Sequence, residues 1–293
     1  MKIKSTPGEK VFNVFNVLFM ILFSAAALYP FLYLLARSFS VPEASFTKIT
    51  IVPQGFVWDN YMRVLRNSDI GTGFKNAILR TVLGTCINLA FSVLAAYPLS
   101  KKYFPHKNFW TGIIIFTMFF SGGMIPSYLL IKRLNLLNTM WAMILPGAIN
   151  TYNMIIMRNF FMSLPDSLEE AARIDGANDF VVLCRIILPM SKPIIATIAL
   201  WSMVGHWNAW FDCLIYITEP SKQVLQVVMR RIVLEGTAQM LNPNSSEFGA
   251  NEIVNSENIK AATIMVATLP IVMVYPFLQK YFVKGIMVGS LKG

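Results

Sequence analysis

Composition and charge exclude several classes of protein. The chain has 293 residues, of which 55% are apolar and 14% charged, and its net charge is +10. Soluble domains carry about 25% charged residues, so a soluble fold of this size could not cover its surface. The 22 Phe and 17 Met residues exclude intrinsic disorder, and three cysteines without CxxC spacing exclude a disulfide scaffold. The two histidines have no partner at metal-ligand spacing, so we expect no bound metal.

Six stretches of the chain contain no Asp, Glu, Lys or Arg. Each is 19 to 26 residues long, and a helix of about 20 residues crosses the hydrocarbon core of a bilayer. The pattern therefore predicts an all-α membrane protein with six transmembrane helices. The stretches are 11–36, 81–100, 108–131, 134–157, 193–211 and 261–279.

The first stretch has features of a secretory signal, because Lys2, Lys4 and Lys10 precede it and Ala25–Ala27 offers a cleavage site. It continues to Ala36, however, and a signal has an apolar region of only about 7–15 residues. We interpret it as a retained first helix.

The predicted order of segments follows from these stretches. It is a tail and first helix at 1–36, a first external loop at 37–75, a core domain at 76–283 and a cytoplasmic tail at 284–293. Within the core domain we predict spans at about 76–100, 108–131, 136–161, 190–212 and 261–282, an inner segment at 163–189 and an external loop at 213–259. In the two loops we expect a short helix starting at 58–61 and another within 223–235.

The positive charges flank the apolar stretches, which gives no reason to expect nucleic acid as a partner. With the N-terminus placed inside, the inner segments hold 13 Lys or Arg residues and the outer segments hold 12. Short loops weigh most in the positive-inside rule, and 1–10, 101–107 and 280–293 hold nine Lys or Arg in 31 residues. This favours both termini in the cytoplasm, although Lys132 and Arg133 in a short outer turn argue against it.

The segment 163–189 is unusual for a connection between two spans. Pro165, Asp166 and Ser167 suit a helix start, and we expect a short helix from Leu168 to Asp175 that Gly176 ends. Two acidic residues, Glu169 and Glu170, fall in its predicted first turn, where the helix dipole favours them. The pattern predicts a short amphipathic helix between two spans, with a surface of small residues that another protein could approach closely.

These residues resemble the EAA loop of binding-protein-dependent ABC importer permeases. Glu170-Ala171-Ala172 is followed at the family's spacing by Gly176, Ile186 and Leu188-Pro189. Further stretches are similar to the carbohydrate permeases related to the maltose importer, in particular to its smaller, six-span subunit; they are 95–100, 174–177, 207–208 and 289–293. The stretches 120–126 and 205–210 resemble a branch that handles complex oligosaccharides, including acidic polysaccharide fragments.

The resemblance implies a type I ABC importer permease fold in the bacterial inner membrane. It also implies a second permease, two ATPase subunits that use ATP and Mg, and an external sugar-binding protein. The sequence has no G-x-x-x-x-G-K-[ST] phosphate loop, so we expect no cofactor or catalytic activity in this chain. The coupling residues that it implies are Glu169, Glu170, Ala171, Ala172, Asp175, Gly176, Ile186, Leu188 and Pro189.

Polar and aromatic residues inside the apolar stretches are candidates for a sugar path, because polar groups in a bilayer usually face a cavity. Asn and Ser also bond neighbouring helices together, and Trp can anchor a helix at the membrane interface, so these alternatives stay open. No Lys or Arg lies inside a stretch, and an acidic sugar would have to bind Asn, hydroxyl groups and helix ends. The candidates are Trp207, Asn208, Trp210, Asn150, Tyr152, Asn153, Ser121 and Tyr128.

Two other functions remain to be weighed. An ion-coupled transporter acting alone needs an acidic residue within a span, and Asp212 at the edge of the fifth stretch is the nearest candidate. An intramembrane enzyme needs a nucleophile and base or a metal, which two distant histidines do not supply.

Overall fold

The computed structural model describes residues 6–41, 51–241, 257–274 and 276. The regular elements within these ranges are all helical. The α-helices are α1 Pro7–Ser38, α2 Asp59–Arg66, α3 Ser68–Ser100, α4 Lys107–Phe119, α5 Met124–Arg133, α6 Met140–Ile144, α7 Thr151–Met162, α8 Asp166–Ile174, α9 Asp179–Val182, α10 Leu188–Met190, α11 Lys192–Asn208, α12 Phe211–Tyr216, α13 Leu225–Leu241 and α14 Glu257–Val274. Short 3-10 turns occur at Leu145–Gly147 and Pro220–Lys222, and a π-helical turn at Leu183–Ile187.

Three of the described helices, α1, α3 and α14, are individually long and apolar enough to cross a membrane. The capping box of α1 is complete, because the Thr6 amide donates to Glu9 and the Thr6 hydroxyl accepts from the Glu9 amide. The side chains from Val11 to Phe23 are mostly apolar and exposed, as the predicted lipid-facing helix requires. The first helix and the short helix α2 are confirmed as helices, whereas α13 begins within the predicted region 223–235 but continues to Leu241.

Two further membrane-spanning candidates are bent pairs of helices. α4 and α5 meet at 110°, and the π turn with its flanking helices, Asp179–Met190, meets α11 at 82°. Counting each pair as one span gives up to five candidates in the described ranges. The predicted spans at 108–131 and 190–212 therefore contain bends. Gly123, with φ of +86°, provides the first bend, and Pro189 and Pro193 flank the second.

The predicted span 136–161 also differs from one continuous helix. It consists of α6, the turn Leu145–Gly147 and α7, and Pro146 lies in that turn. The tail 284–293, with the motif at 289–293, lies outside the described residues, as do parts of both long loops and the end of the last predicted span.

The chain divides into two compact units, 1–68 with 229–268 and 69–228 with 269–293. In the first unit, Asn60 and Asn258 both donate to the carbonyl of Ser40, at 3.2 and 3.1 Å. The second unit contains the cluster of buried apolar side chains that joins the end of α3 to α7, the π turn and α11. It includes Ala96, Tyr97, Leu99, Met154, Met157, Phe161, Val182, Leu183, Ile187 and Ile198.

Close contact between α3 and α11 depends on one glycine. A Cβ atom at Gly84 would lie 2.5 Å from Nε2 of His206, whereas a Cβ at Gly112 on α4 would meet nothing within 4 Å. The missing side chain at position 84 therefore allows the His206 ring to pack against α3.

We predict that Gly84→Ala lowers the thermal stability of the detergent-solubilised protein, because overpacking of this kind costs about 1–3 kcal/mol. Gly112→Ala is the matched control, since it has the same gain in helix propensity and open space around it. Thermal unfolding of the purified protein measures both variants. Equal melting temperatures for the two would contradict the prediction.

Candidate coupling surface and polar cavity

The predicted amphipathic helix is α8, and it begins two residues earlier than expected. Pro165 is its N-cap and makes no side-chain capping bond. Asp166 instead accepts a hydrogen bond of 2.8 Å from Nζ of Lys102. The end agrees with the sequence prediction: Gly176 has φ of +84°, its amide donates to the Arg173 carbonyl, and the Ala177 amide donates to the Ala172 carbonyl. This pair of bonds is a Schellman motif, which favours glycine.

The two faces of α8 differ in charge and exposure. Glu169 is only 8% exposed and forms an ion pair with Lys101. Glu170 and Ala171 are exposed, and the apolar side chain of Ile174 is 86% exposed. Of the three predicted acidic coupling residues, Glu169 is therefore engaged inside the chain, whereas Glu170 and Asp175 are exposed.

Residues 101–103, which follow α3, hold α8 and α9 through several polar contacts. The Lys101 ammonium also lies 4.6 Å from the centre of the Tyr97 ring. Arg173 pairs with Asp179, and the Tyr103 hydroxyl donates to Asp179 at 3.1 Å. The result is a layer of charged and aromatic groups between the end of α3 and the inner face of α8.

The exposed pair Lys102–Asp166 shifts the pKa of both groups. The hydrogen bond raises the pKa of the Lys102 ammonium above its ordinary value and lowers that of the Asp166 carboxyl, and the mutual charge attraction acts in the same direction. Burial raises the pKa of Tyr103, and its hydrogen bond to Asp179 adds to this. These groups therefore keep their charges or protons near neutral pH.

The other predicted coupling residues occupy two places. Ala172 packs against the buried cluster, and Asp175 is the exposed C-cap of α8. Ile186 lies in the π turn, Leu188 packs against the buried cluster and Pro189 is exposed at the start of α10. The structure thus brings the first part of the motif together on α8 and places the second part in the turn before α11.

A polar cavity of about 350 Å³ lies among α3, α7, α11 and the helix breaks beside them. Its lining includes Asn150 and Asn153, as predicted, and also Trp201, His206 and Tyr216. The Asn150 side chain caps α7 by accepting a hydrogen bond from the Asn153 amide at 3.0 Å. A volume near the lower end of the range for ligand pockets, roughly 300–1,000 Å³, suits a short segment of a larger molecule.

An ion pair also lines this cavity, and its cation lies just outside the second charge-free stretch but within the predicted span 76–100. Arg80 belongs to α3, is 2% exposed, and pairs with Asp212 of α12. A buried charge needs such a partner. Asp212, the residue on which the ion-coupled alternative depends, is therefore already engaged by a cation.

Two polar side chains of α3 bind carbonyl groups at the helix breaks. Nη1 of Arg80 donates to the Ala209 carbonyl at 2.9 Å, between α11 and α12. Nδ2 of Asn88 donates to the Gly147 carbonyl at 3.0 Å, between α6 and α7, and Ser202 donates to Oδ1 of Asn88 at 2.9 Å. Within a bilayer, interrupted backbone is tolerated where protein groups satisfy it in this way.

The aromatic sugar-path candidates are dispersed. Trp207 is buried, packs edge-on against Phe74, and is absent from the lining of the polar cavity. Trp210 packs against Phe211. The Tyr152 ring lies 6.2 Å from that of Trp201, and Tyr128 stacks on Tyr216, so both are one contact away from the cavity lining.

The two polar candidates outside the cavity lining are exposed. Asn208 bonds to the Val204 carbonyl of its own helix, and Ser121 lies at the bend between α4 and α5.

Sequence reasoning missed two groups of residues. Lys101, Lys102 and Tyr103 follow the second apolar stretch and were interpreted only as flanking positive charge. Arg80 directly precedes that stretch, which by definition starts after a charge. No signal in a single sequence pairs Lys101 with Glu169, because the two residues are 68 positions apart.

Comparisons with known proteins identify the family of this chain. Residues 4–288 match the family described as binding-protein-dependent transport system inner membrane component. The chain is 43% identical to the protein LplC of Bacillus subtilis strain 168, over 99% of this chain and 97% of that one. It is 39% identical to the polygalacturonan/rhamnogalacturonan transport system permease protein YtcP of the same organism, over 97% and 99% of the two chains.

A solved structure is similar over nearly the whole chain. It is the crystal structure of a bacterial ABC transporter involved in the import of the acidic polysaccharide alginate, with 32% identity and a TM-score of 0.84 over 96% of this chain and 100% of that one. The predicted all-α permease fold is confirmed by this match. The chain therefore belongs to the family of inner-membrane components of binding-protein-dependent transport systems.

Proposed function

We propose that this chain is one permease subunit of an ATP-driven importer of oligosaccharides. A second, similar permease completes the pathway, two separate ATPase subunits bind ATP and Mg, and an external binding protein delivers the sugar. Both termini and α8 lie on the cytoplasmic side of the membrane. This chain binds no cofactor and catalyses no reaction.

The observation that carries the proposal is the exposed outer face of α8. Ile174 is 86% exposed on a short helix that also presents Glu170 and Ala171. The helix lies outside the apolar stretches, in a connection between two predicted spans. An apolar residue among small and acidic neighbours suits a groove in a soluble protein, and in an importer that protein is the ATPase.

The cavity supports the transport of a sugar. Trp201 offers an aromatic face, and Asn150, Asn153 and His206 offer hydrogen-bonding groups around a volume suited to a short segment of a chain. Arg80 is neutralised by Asp212, so the pair brings polarity to the lining without net charge. Two of the similar proteins are named for acidic polysaccharides, polygalacturonan and alginate, and we propose uronic-acid oligosaccharides as the cargo.

Transport follows an alternating-access cycle. ATP binding closes the ATPase dimer and draws the coupling helices of the two permeases together, and the spans rock until the cavity opens outward. Hydrolysis then resets the inward-open state. In this cycle α8 receives the movement, and Gly176 sets the direction in which the chain leaves it.

Co-purification from a bacterial membrane tests the proposal. A tagged chain is expected to bring down a second permease and an ATPase, and a cognate binding protein loaded from a panel of pectin, alginate and neutral oligosaccharides is expected to stimulate ATP hydrolysis. Recovery of the chain alone would contradict the proposal. Stimulation by neutral oligosaccharides only would contradict the uronic-acid assignment.

We predict that Gly176→Val leaves the complex assembled but removes most of the stimulated hydrolysis. A β-branched residue at positive φ costs more than the roughly 1–2 kcal/mol of an ordinary residue, which displaces the end of α8. Gly176→Asn is the control, because Asn tolerates this conformation and should keep most of the activity. ATPase assays with the loaded binding protein measure both, and equal activity would show that the turn is not needed.

We predict that Trp201→Ala reduces uptake of labelled oligosaccharide into proteoliposomes by about tenfold, since truncating an aromatic anchor costs more than about 1 kcal/mol and a tenfold loss of affinity corresponds to about 1.4 kcal/mol. Trp110→Ala is the control: this exposed tryptophan lies on α4 and is absent from the cavity lining. Similar losses in the two variants would contradict a role for the cavity in transport.

A further inference from the structure

The residues at the end of α3 contact α8 directly through their side chains. Lys101 and Glu169 form an ion pair, and their side chains are only 10% and 11% exposed. Lys102 binds Asp166 at the surface, and Arg173 stacks over Tyr103, with its guanidinium carbon 4.9 Å from the ring centre. These contacts join residues that are about 70 positions apart in the sequence.

Packing around the ion pair strengthens the same junction. Nε of Arg158 on α7 donates to the Leu99 carbonyl at 2.9 Å, at the end of α3. Phe161 of α7, Val182 of α9 and Ile187 of the π turn lie in one buried cluster with Tyr97. The elements on both sides of α8 are therefore packed against the end of α3.

The buried pair makes separation of α8 from α3 unfavourable. Moving one without the other would leave a charge with no partner at a site where both side chains are largely buried. The exposed pair Lys102–Asp166, with side chains 85% and 68% exposed, carries no such penalty because water can replace either partner. Lys101 and Glu169 are thus the contact that constrains the two elements to move together.

We propose that Lys101 is a positioning residue for coupling: through Glu169 it makes α8 and the end of α3 move as one body. Displacement of α8 by the ATPase then reaches α3 directly. On the same helix, Arg80 and Asn88 bind the carbonyl groups at the two helix breaks beside the cavity. The inference rests on the proposed function, because it names the route by which that movement enters the membrane domain.

The test uses the assembled importer in nanodiscs, and its readout is the ratio of binding-protein-stimulated to basal ATP hydrolysis. The binding protein carries whichever oligosaccharide of the panel stimulates the wild type most. Lys101→Glu and Glu169→Lys are each expected to bring this ratio close to one while basal hydrolysis continues. The double variant K101E/E169K restores the pair in reverse and should recover at least about half of the wild-type ratio, as coupling between two contacting residues requires.

Two controls separate positioning from general damage. Lys101→Arg keeps the charge and should keep the ratio, and Lys102→Glu breaks only the exposed pair and should leave the ratio within about twofold of wild type. An unchanged ratio in Lys101→Glu, or no recovery in K101E/E169K, would overturn the positioning role alone. Absence of stimulation in the wild-type complex would overturn the proposed function as well.

A covalent bridge between positions 101 and 169 tests whether α8 and the end of α3 move as one body, and it does not depend on an ion pair. K101C/E169C is made with the exposed Cys86 and Cys184 replaced by serine and with partner subunits free of accessible cysteines. The ratio should fall in this variant and recover when a short bismaleimide joins the two thiols. Continued loss after bridging would mean that α8 must move relative to α3, and would overturn the inference.

Discussion

The cost of leaving backbone groups unpaired in hydrocarbon is the constraint on which this membrane domain depends. Breaks at 145–150 and 209–210 interrupt helices beside the cavity and free carbonyl groups from helical bonds. α3 passes both breaks as a continuous helix, and Asn88 and Arg80 bind the carbonyls of Gly147 and Ala209. The polar side chains that make the interrupted backbone tolerable also line the cavity.

The same constraint accounts for Asp212. Arg80 donates a hydrogen bond to the Ala209 carbonyl while it is buried, and a buried cation needs an anion to balance its charge. Asp212, three residues after Ala209, is that anion. A carboxylate committed in this way is poorly suited to bind and release an ion in each transport cycle. The engaged state of Asp212 therefore favours an energy source in another chain, which agrees with the exposed outer face of α8.

Charge counting predicted most of the long helices because each charged residue placed in a bilayer is expensive, about 2.5–3.5 kcal/mol at the helix centre. It did not predict the bends at Gly123 and Pro146, because a count of charges carries no information about backbone geometry. It also left Arg80 outside the second charge-free stretch, although the predicted span 76–100 and the helix α3 both include this residue. Pairings such as Lys101 with Glu169 depend on tertiary structure and leave no local pattern.

The two neighbouring glutamates of α8 lie in different environments. Consecutive residues on a helix point about 100° apart, so Glu169 and Glu170 cannot share one environment. Glu169 is bound to Lys101, whereas Glu170 lies on the outer face four residues before Ile174. A helix of nine residues is too short to be stable in isolation, where about 12–15 residues are needed. In the coupling role proposed for it, the outer face of α8 transmits a force only because its inner face is bound to the end of α3.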